Sequence, residues 1–333
     1  MKKHPLALSN IVNFISHFIL HVSHFFIPLF LLGAGFNGFQ LGVLMSLSTI
    51  TGLLFTFPMG KISDSIQARK ILAFGIILIA VFFLGLSKIT AFWILIVVFF
   101  IGGLGKNILK IAMEALVFKI AGHKHEAMKL GIFKFFASSA SAIGMIAGGY
   151  FLTKVGFKEV FFVSAIIMGI TAFIALKLNK TASITSSIQK YKGDFFRKDV
   201  LVIAAIFFLF ALHFGAEDTS YAPFIQQTFG FSTFWIGVYM AIPVIVLSIV
   251  TFIIGAKVDA KMSAKKALFY GLLVSGLGHI MMTVPQISLS FIGRIIHEVG
   301  DGVILVLILI DISRLFPSKR IGGNTGLMET III

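Results

Sequence analysis

Cysteine is absent from this 333-residue chain, acidic residues number only 13, and there are just 7 prolines. Without cysteine there is no structural disulfide and no thiolate-ligated metal. Charged residues make up 12% of the chain and hydrophobic ones 58%, far from the balance of a soluble domain, so this is a membrane protein. The long apolar runs lack strict alternation and are seldom interrupted by proline. They therefore read as helices, since a barrel would show ~10-residue alternating segments. No phosphate loop or nucleophile elbow is present.

What is abundant is hydrophobic length. Runs near the ~20 apolar residues that cross a bilayer fall at 6–32, 39–59, 70–87, 91–113, 132–152, 158–176, 200–222, 234–254, 266–284 and 287–311. The class is all-α, a polytopic transmembrane bundle. "MKKHP" precedes an apolar run too long for a signal peptide, so it begins the first helix. The net charge of +15 raises the question of nucleic acid. With the N-terminus in the cytoplasm, Lys88, Lys154, Lys158 and Arg294 fall outside and Lys106 and Lys110 within a span. Every other Lys and Arg, Lys134 included, falls on the cytoplasmic side. This asymmetry accounts for the charge without a nucleic-acid partner and points to the plasma (inner) membrane.

"FNGFQLGVLM" (36–45) recurs as "FSTFWIGVYM" (231–240), an offset of 195. At that offset Pro28 matches Pro223, Gly60 matches Gly255 and Asp64 matches Asp259; two positions further on, Glu114 matches Asp311. An even number of helices per copy gives two parallel six-helix repeats. The division is 1–176 for the first half, 177–198 for a polar, basic cytoplasmic linker, and 199–333 for the second half. The second copy is incomplete at Ile333, so a chain truncated within its eleventh helix is expected.

The loops "GKISDSIQARK" (60–70) and "GAKVDAKMSAKK" (255–266) carry an identification. They resemble the Gly-x-x-x-Asp loop, followed by Arg/Lys, of the major facilitator superfamily. Ser65 stands where that family usually has Arg, and Gln67 where it has Gly. The resemblance implies a monomeric secondary active transporter that exposes one central cavity alternately to each side and needs no cofactor. It also implies a cytoplasmic gate: Asp64 against the start of helix 11 near Asn324 to Gly326, and Arg69 paired with Glu114. Gly60 belongs to that gate, with Gly255, Asp259, Lys265 and Asp311 as second-half counterparts. "GMIAGG" (144–149) stands where many antiporters of the family carry Gly-Pro-x-x-Gly-Gly; with Met145 in place of proline, it also reads as small residues for close helix packing.

By the same resemblance helices 1, 4, 7 and 10 line the cavity, and the intramembrane polar residues concentrate there. The first span carries His17, His21 and His24 on one stripe; the fourth, Lys106 and Lys110; the seventh, Glu217 and Asp218; the tenth, Arg294, His297, Glu298 and Asp301. Ionisable groups facing lipid are costly, so these should face the interior or a membrane surface. Asp301 lies ~20 Å into its span, near the midplane, whereas Glu217 and Asp218 lie ~27 Å along theirs, near the outer surface. Glu298 and Asp301, with His17 and His21, are the expected proton carriers. Lys106 and Arg294 suit an anionic or zwitterionic solute, moved with protons or another coupling ion. The alternative is a histidine-rich membrane metalloenzyme. It would need histidine clusters at one depth, whereas the histidines at 4, 123, 125, 213, 279 and 297 are scattered, so no metal is expected.

Overall fold

The computed structural model describes residues 6–122, 124–181 and 185–332, so Lys2, Lys3, His4, His123 and Ile333 lie outside the described residues. Among the described residues all regular structure is helical. We label α1 Ala7–Gly33, α2 Gly38–Ser65, α3 Ala68–Lys88, α4 Phe92–Ala121, α5 Glu126–Val155, α6 Phe157–Ala175, α7 Lys198–Phe229 and α8 Thr233–Asp259. These eight are long and apolar enough to cross a membrane. Next come α9 Ala264–Met282, α10 Ile287–Leu315 and α11 Ile321–Ile332. In α10 the charges of Arg294, Glu298 and Asp301 interrupt the hydrophobic run.

The repeated decapeptide marks two helix starts. Asn37 caps α2 by accepting from the Gln40 amide, while the Gln40 side chain accepts from the Asn37 amide; Ser232 takes the corresponding place before α8. The matched prolines also have a local meaning. Pro28 opens the helical stretch after a 3-10 turn at His24–Phe26 of α1, and Pro223 opens the one after a π turn at Glu217–Tyr221 of α7. Proline suits such a first turn because its missing N–H would lack a helical partner there.

The helix α7 continues past this turn to Phe229. Glu217 and Asp218 therefore sit within a 32-residue helix and not at its end, with Glu217 buried and Asp218 half-exposed. Arg294, expected outside, is also buried within α10.

Helices α1 to α6 pack among themselves through α1 with α5 and α6, α2 with α4, and α3 with α4 and α6. α8, α9 and α10 form a second group, joined to the first along α5/α8 and α2/α11. Glycine makes these approaches possible. A Cβ at Gly148 would lie 2.1 Å from the Val22 carbonyl oxygen of α1, and one at Gly149 would lie 2.9 Å from the Thr233 carbonyl oxygen of α8. The small residues of "GMIAGG" thus seat α5 against two neighbours at once. The segment 177–198 is more than a tether: it contains a helix, Ile188–Phe195, whose Tyr191 is fully buried.

Candidate functional site

Three polar assemblies occupy the bundle. The first is a central cavity of about 230 Å³ lined by Asn107, Lys110 and Glu114 of α4, Lys134 of α5, Asp218 of α7 and Glu329 of α11. Lys110 pairs with Glu329, which is buried, and Asn107 donates to the Ser48 carbonyl at 3.0 Å. Glu114 is buried too, and its Oε2 has no hydrogen-bond partner. Lys134 was expected at the cytoplasmic surface, but α5 starts at Glu126, so Lys134 is already more than two turns into the helix.

Above the cavity, the His24 imidazole of α1 lies 3.4 Å from Asp218 of α7. His21 stacks on His17 with ring centroids 5.8 Å apart and hydrogen-bonds Ser141 at 3.1 Å. Lys106 lies within electrostatic reach of Asp218, and His17 within reach of Lys110 and Lys134. His17, His21, His24 and Lys106 do not line the cavity; the helix-1 stripe meets it through the contact of His24 with Asp218.

The second assembly joins α7, α9 and α10. The Arg294 guanidinium donates to Glu217 at 2.5 Å and contacts Glu298 at 2.6 Å, while it lies over the Tyr221 ring at 5.2 Å. His297 Nε2 lies 2.8 Å from Glu217 and 3.5 Å from Asp301. His213 and His279 join them, each with its ring centroid 5.0–5.2 Å from that of His297. Histidines scattered in sequence thus converge in space. No local signal marks this: α7, α9 and α10 meet only through tertiary packing. None of Glu217, His297, Glu298 and Asp301 lines the central cavity.

The third assembly lies at the end of the bundle that carries Lys61, Arg69, Lys119, Lys257 and Arg314, hereafter the basic end. Asp64, fully buried at the end of α2, accepts from the amides of Gly322 (3.0 Å) and Gly323 (2.8 Å) at the start of α11 and from Tyr191 Oη (3.1 Å). Lys119 Nζ pairs with it at 3.0 Å. The carboxylate thus meets the unpaired amides and positive dipole end of a helix, immediately before the expected Asn324–Gly326. Gly60 permits this contact, because a Cβ there would lie 2.2 Å from the Gly322 carbonyl oxygen.

The expected Arg69–Glu114 pair is not made. Arg69 donates to the Leu176 and Leu178 carbonyls at 2.7 and 3.2 Å, where the end of α6 leaves acceptors unpaired, and Lys119 supplies the cation beside Asp64. In the second group Asp259 accepts from the Met128 amide at 2.8 Å at the start of α5, and a Cβ on Gly255 would lie 2.7 Å from the Ala127 carbonyl oxygen. Asp311 is half-buried, and Lys265 is exposed with no ion pair among the described residues.

The linker helix completes the basic end. Arg320 donates to both oxygens of Asp194, at 2.7 and 2.8 Å, and the Asn324 amide donates at 2.9 Å. Burial raises the Asp194 pKa, but the hydrogen bonds from Arg320 and Asn324 outweigh it and hold the carboxyl below its ordinary value. A carboxyl with a depressed folded pKa contributes stability above its unfolded pKa of ~3.9. That contribution is lost as pH falls through the lower folded value. Cleavage within 188–195 by an acid-active protease should therefore increase as pH is lowered below ~4, and Arg320→Ala should show the increase already at neutral pH. Equal cleavage of Arg320→Ala and the parent would mean that this ion pair does not hold the linker helix.

A family model described as Major Facilitator Superfamily matches residues 6–332. A comparison with curated protein sequences finds no match. Among solved structures, the human organic anion transporter TETRAN is similar with a TM-score of 0.82 at 10% identity, over 99% of this chain and 90% of that one. The proton:xylose symporter XylE, bound to a bromo-deoxyglucose, is similar with a TM-score of 0.77 at 12% identity, over 100% of this chain and 86% of that one. A bacterial homologue of the human lysosomal transporter Spinster, inward-facing and unoccupied, gives 0.71 at 14% identity over 100% and 80%. At these identities the likeness concerns the fold.

Proposed function

The chain belongs to the major facilitator superfamily and is a multi-pass membrane transporter of the secondary type, and from that premise we propose that it moves a small anionic or zwitterionic solute together with protons. The solute binds in the central cavity, where Lys110 and Lys134 offer cations and Glu114, Glu329 and Asp218 offer carboxylates. The observation that carries this reading is the convergence of both charge types from α4, α5 and α11 on one small cavity. A neutral solute would leave those charges partly unsolvated, whereas a zwitterion supplies a partner to each sign. One similar fold is named as an organic anion transporter and another as a proton symporter, in keeping with both parts of the proposal.

Glu114 is the proton carrier in this reading. Its unpartnered oxygen is buried, and the residue lines the same cavity as Lys110 of its own helix, Lys134 of α5 and Glu329 of α11, so charge in the cavity decides whether it holds a proton. His17, His21 and Lys106 stand outside the cavity lining, beyond Asp218, and extend the solute route. The assembly of Arg294, Glu217, His297, Glu298 and Asp301 stands beside the route and holds α7 to α10. The basic end is the cytoplasmic one in a plasma membrane, which follows from the positive-inside rule. The two halves, 1–176 and 199–333, rock about the cavity, and Gly60, Asp64, Gly255 and Asp259 form the cytoplasmic gate, with Lys119 as the cation paired to Asp64.

Purified protein in proteoliposomes should accumulate amino acids or small carboxylates under an imposed pH gradient and leave neutral sugars behind. Glu114→Gln should abolish gradient-driven accumulation yet retain solute exchange at equal pH. Undiminished accumulation in Glu114→Gln would remove this residue from proton coupling. Accumulation of sugars alone would overturn the charge argument.

A further inference from the structure

We propose that the assembly between α7, α9 and α10 is a binding site for a divalent transition-metal cation of the zinc class, with ligand atoms from His213, Glu217, His279, His297 and Asp301. Two sets, His213–His297–Asp301 and Glu217–His279–His297, each bring their ligand atoms within 4.8 Å of one another and share His297. The separations fit a metal. Zinc bonds of 2.0–2.1 Å in a tetrahedron place neighbouring ligand atoms ~3.3 Å apart. Here His213 Nε2 lies 3.4 Å from Asp301 Oδ2, His297 Nε2 lies 3.5 Å from the same oxygen, and His279 Nδ1 lies 3.4 Å from Glu217 Oε1; His297 Nε2 and Glu217 Oε1, at 2.8 Å, are closer than a tetrahedron places them, as an expanded five-coordinate site allows.

The second observation is that these atoms lack partners of the right kind. His213 Nε2, His279 Nδ1, His297 Nε2 and Glu217 Oε1 are buried, and their nearest polar neighbours are one another, closest at 2.8 Å between His297 Nε2 and Glu217 Oε1. The opposite ring nitrogens show why. His213 Nδ1 lies 2.5 Å from the Phe210 carbonyl oxygen, and His297 Nδ1 lies 2.9 Å from that of Ser275. A carbonyl only accepts, so both Nδ1 atoms carry the proton, and in the neutral rings Nε2 presents a lone pair to a carboxylate. Lone pair facing lone pair is repulsive until a cation sits between them. A backbone carbonyl on the far nitrogen is also the usual way to orient a metal-binding imidazole.

The remaining contacts support the same assignment. The Ser275 hydroxyl donates to Asp301 Oδ1 at 2.6 Å and Arg294 donates to Glu217 Oε2, so each carboxylate has one oxygen anchored and one turned to the cluster. Glu217, Glu298 and Asp301 against Arg294 leave two negative charges in excess when the imidazoles are neutral, and a divalent cation balances them. A cleft of about 370 Å³ between α7 and α9, lined by His213, His279 and His297, offers an entry path. Bound there, the cation ties the π turn of α7 to α9 and α10.

The full chain, purified in detergent and stripped with a chelator, should take up one Co²⁺ per chain, with the intense visible absorption of a low-symmetry four- or five-coordinate site, and Zn²⁺ should displace it. His213→Gln and His279→Gln should each weaken Co²⁺ binding at least tenfold, His297→Gln should abolish it, and His125→Gln, on an exposed loop, should leave it unchanged. Zn²⁺ should raise the unfolding temperature of the parent and not of His297→Gln. Should His297→Gln fail to fold, the His213 and His279 variants decide. Absence of stoichiometric Co²⁺, or equal binding by the parent, His213→Gln and His279→Gln, overturns the site and leaves protons as the cluster's counter-charge. Transport in Glu114→Gln is read independently, so failure of one proposal does not carry the other.

Discussion

Gly60→Ala should reduce transport at least tenfold while the protein remains folded. The new Cβ would lie 2.2 Å from the Gly322 carbonyl oxygen, 2.9 Å from its carbonyl carbon and 3.2 Å from Gly323 Cα. All three are backbone atoms, so no side chain can rotate away. Overpacking of this kind costs ~1–3 kcal/mol or more, and here the cost falls only on conformations in which α2 and α11 touch at the basic end. A penalty of 1.4 kcal/mol is already a factor of about ten in population. Asp64→Asn should act in the same direction, because it removes the charge that meets the Gly322 and Gly323 amides and leaves Lys119 without its ion pair. Because the chain has no cysteine, single-cysteine labelling is free of background. An Asn107→Cys probe in the cavity should react faster from the basic end in both variants. Uptake within twofold of the parent and unchanged labelling in Gly60→Ala would show that the α2/α11 contact has no part in gating.

The second large effect is expected at Arg294. Its side chain is 3% exposed and is the only Arg or Lys side chain in contact with Glu217 and Glu298 among the described residues. Arg294→Met leaves the Glu217 and Glu298 carboxylates buried without their guanidinium partner. Breaking a buried pair by removing one partner costs ~3–5 kcal/mol, because the surviving charge remains desolvated. The unfolding temperature of the detergent-purified protein should fall well below that of the parent, and the yield of monodisperse protein should fall with it. Arg294→Lys should recover little, since an ammonium cannot reproduce a guanidinium that bridges two carboxylates and lies over the Tyr221 ring. Adding Glu217→Gln and Glu298→Gln to Arg294→Met should restore much of the loss. An unfolding temperature equal to the parent's in Arg294→Met alone would mean that the pairs contribute nothing net to stability.

Helix type and the approximate helix positions were determined by the sequence alone, although Gly60, Asp64, Gly255 and Asp259, read as loop residues, lie in the last turns of α2 and α8. They depend on local quantities: a bilayer-length run of apolar side chains and the asymmetry of Lys and Arg. The placement of Asp64 at the start of α11 was legible from the family pattern to within one helical turn.

Which side chains meet across helices was decided only by the tertiary structure. Arg294 and Glu217 are 77 residues apart, and their contact depends on how α7 and α10 are rotated and how far each slides along the other. The same freedom hid the meeting of His213, His279 and His297, the cavity roles of Lys134 and Glu329, and the pairing of Lys119 with Asp64. A one-residue rotation turns an α-helical side chain by ~100°. Hydropathy therefore fixes that a helix crosses the bilayer, while close packing at glycines such as Gly148, Gly149 and Gly60 fixes which of its faces looks inward.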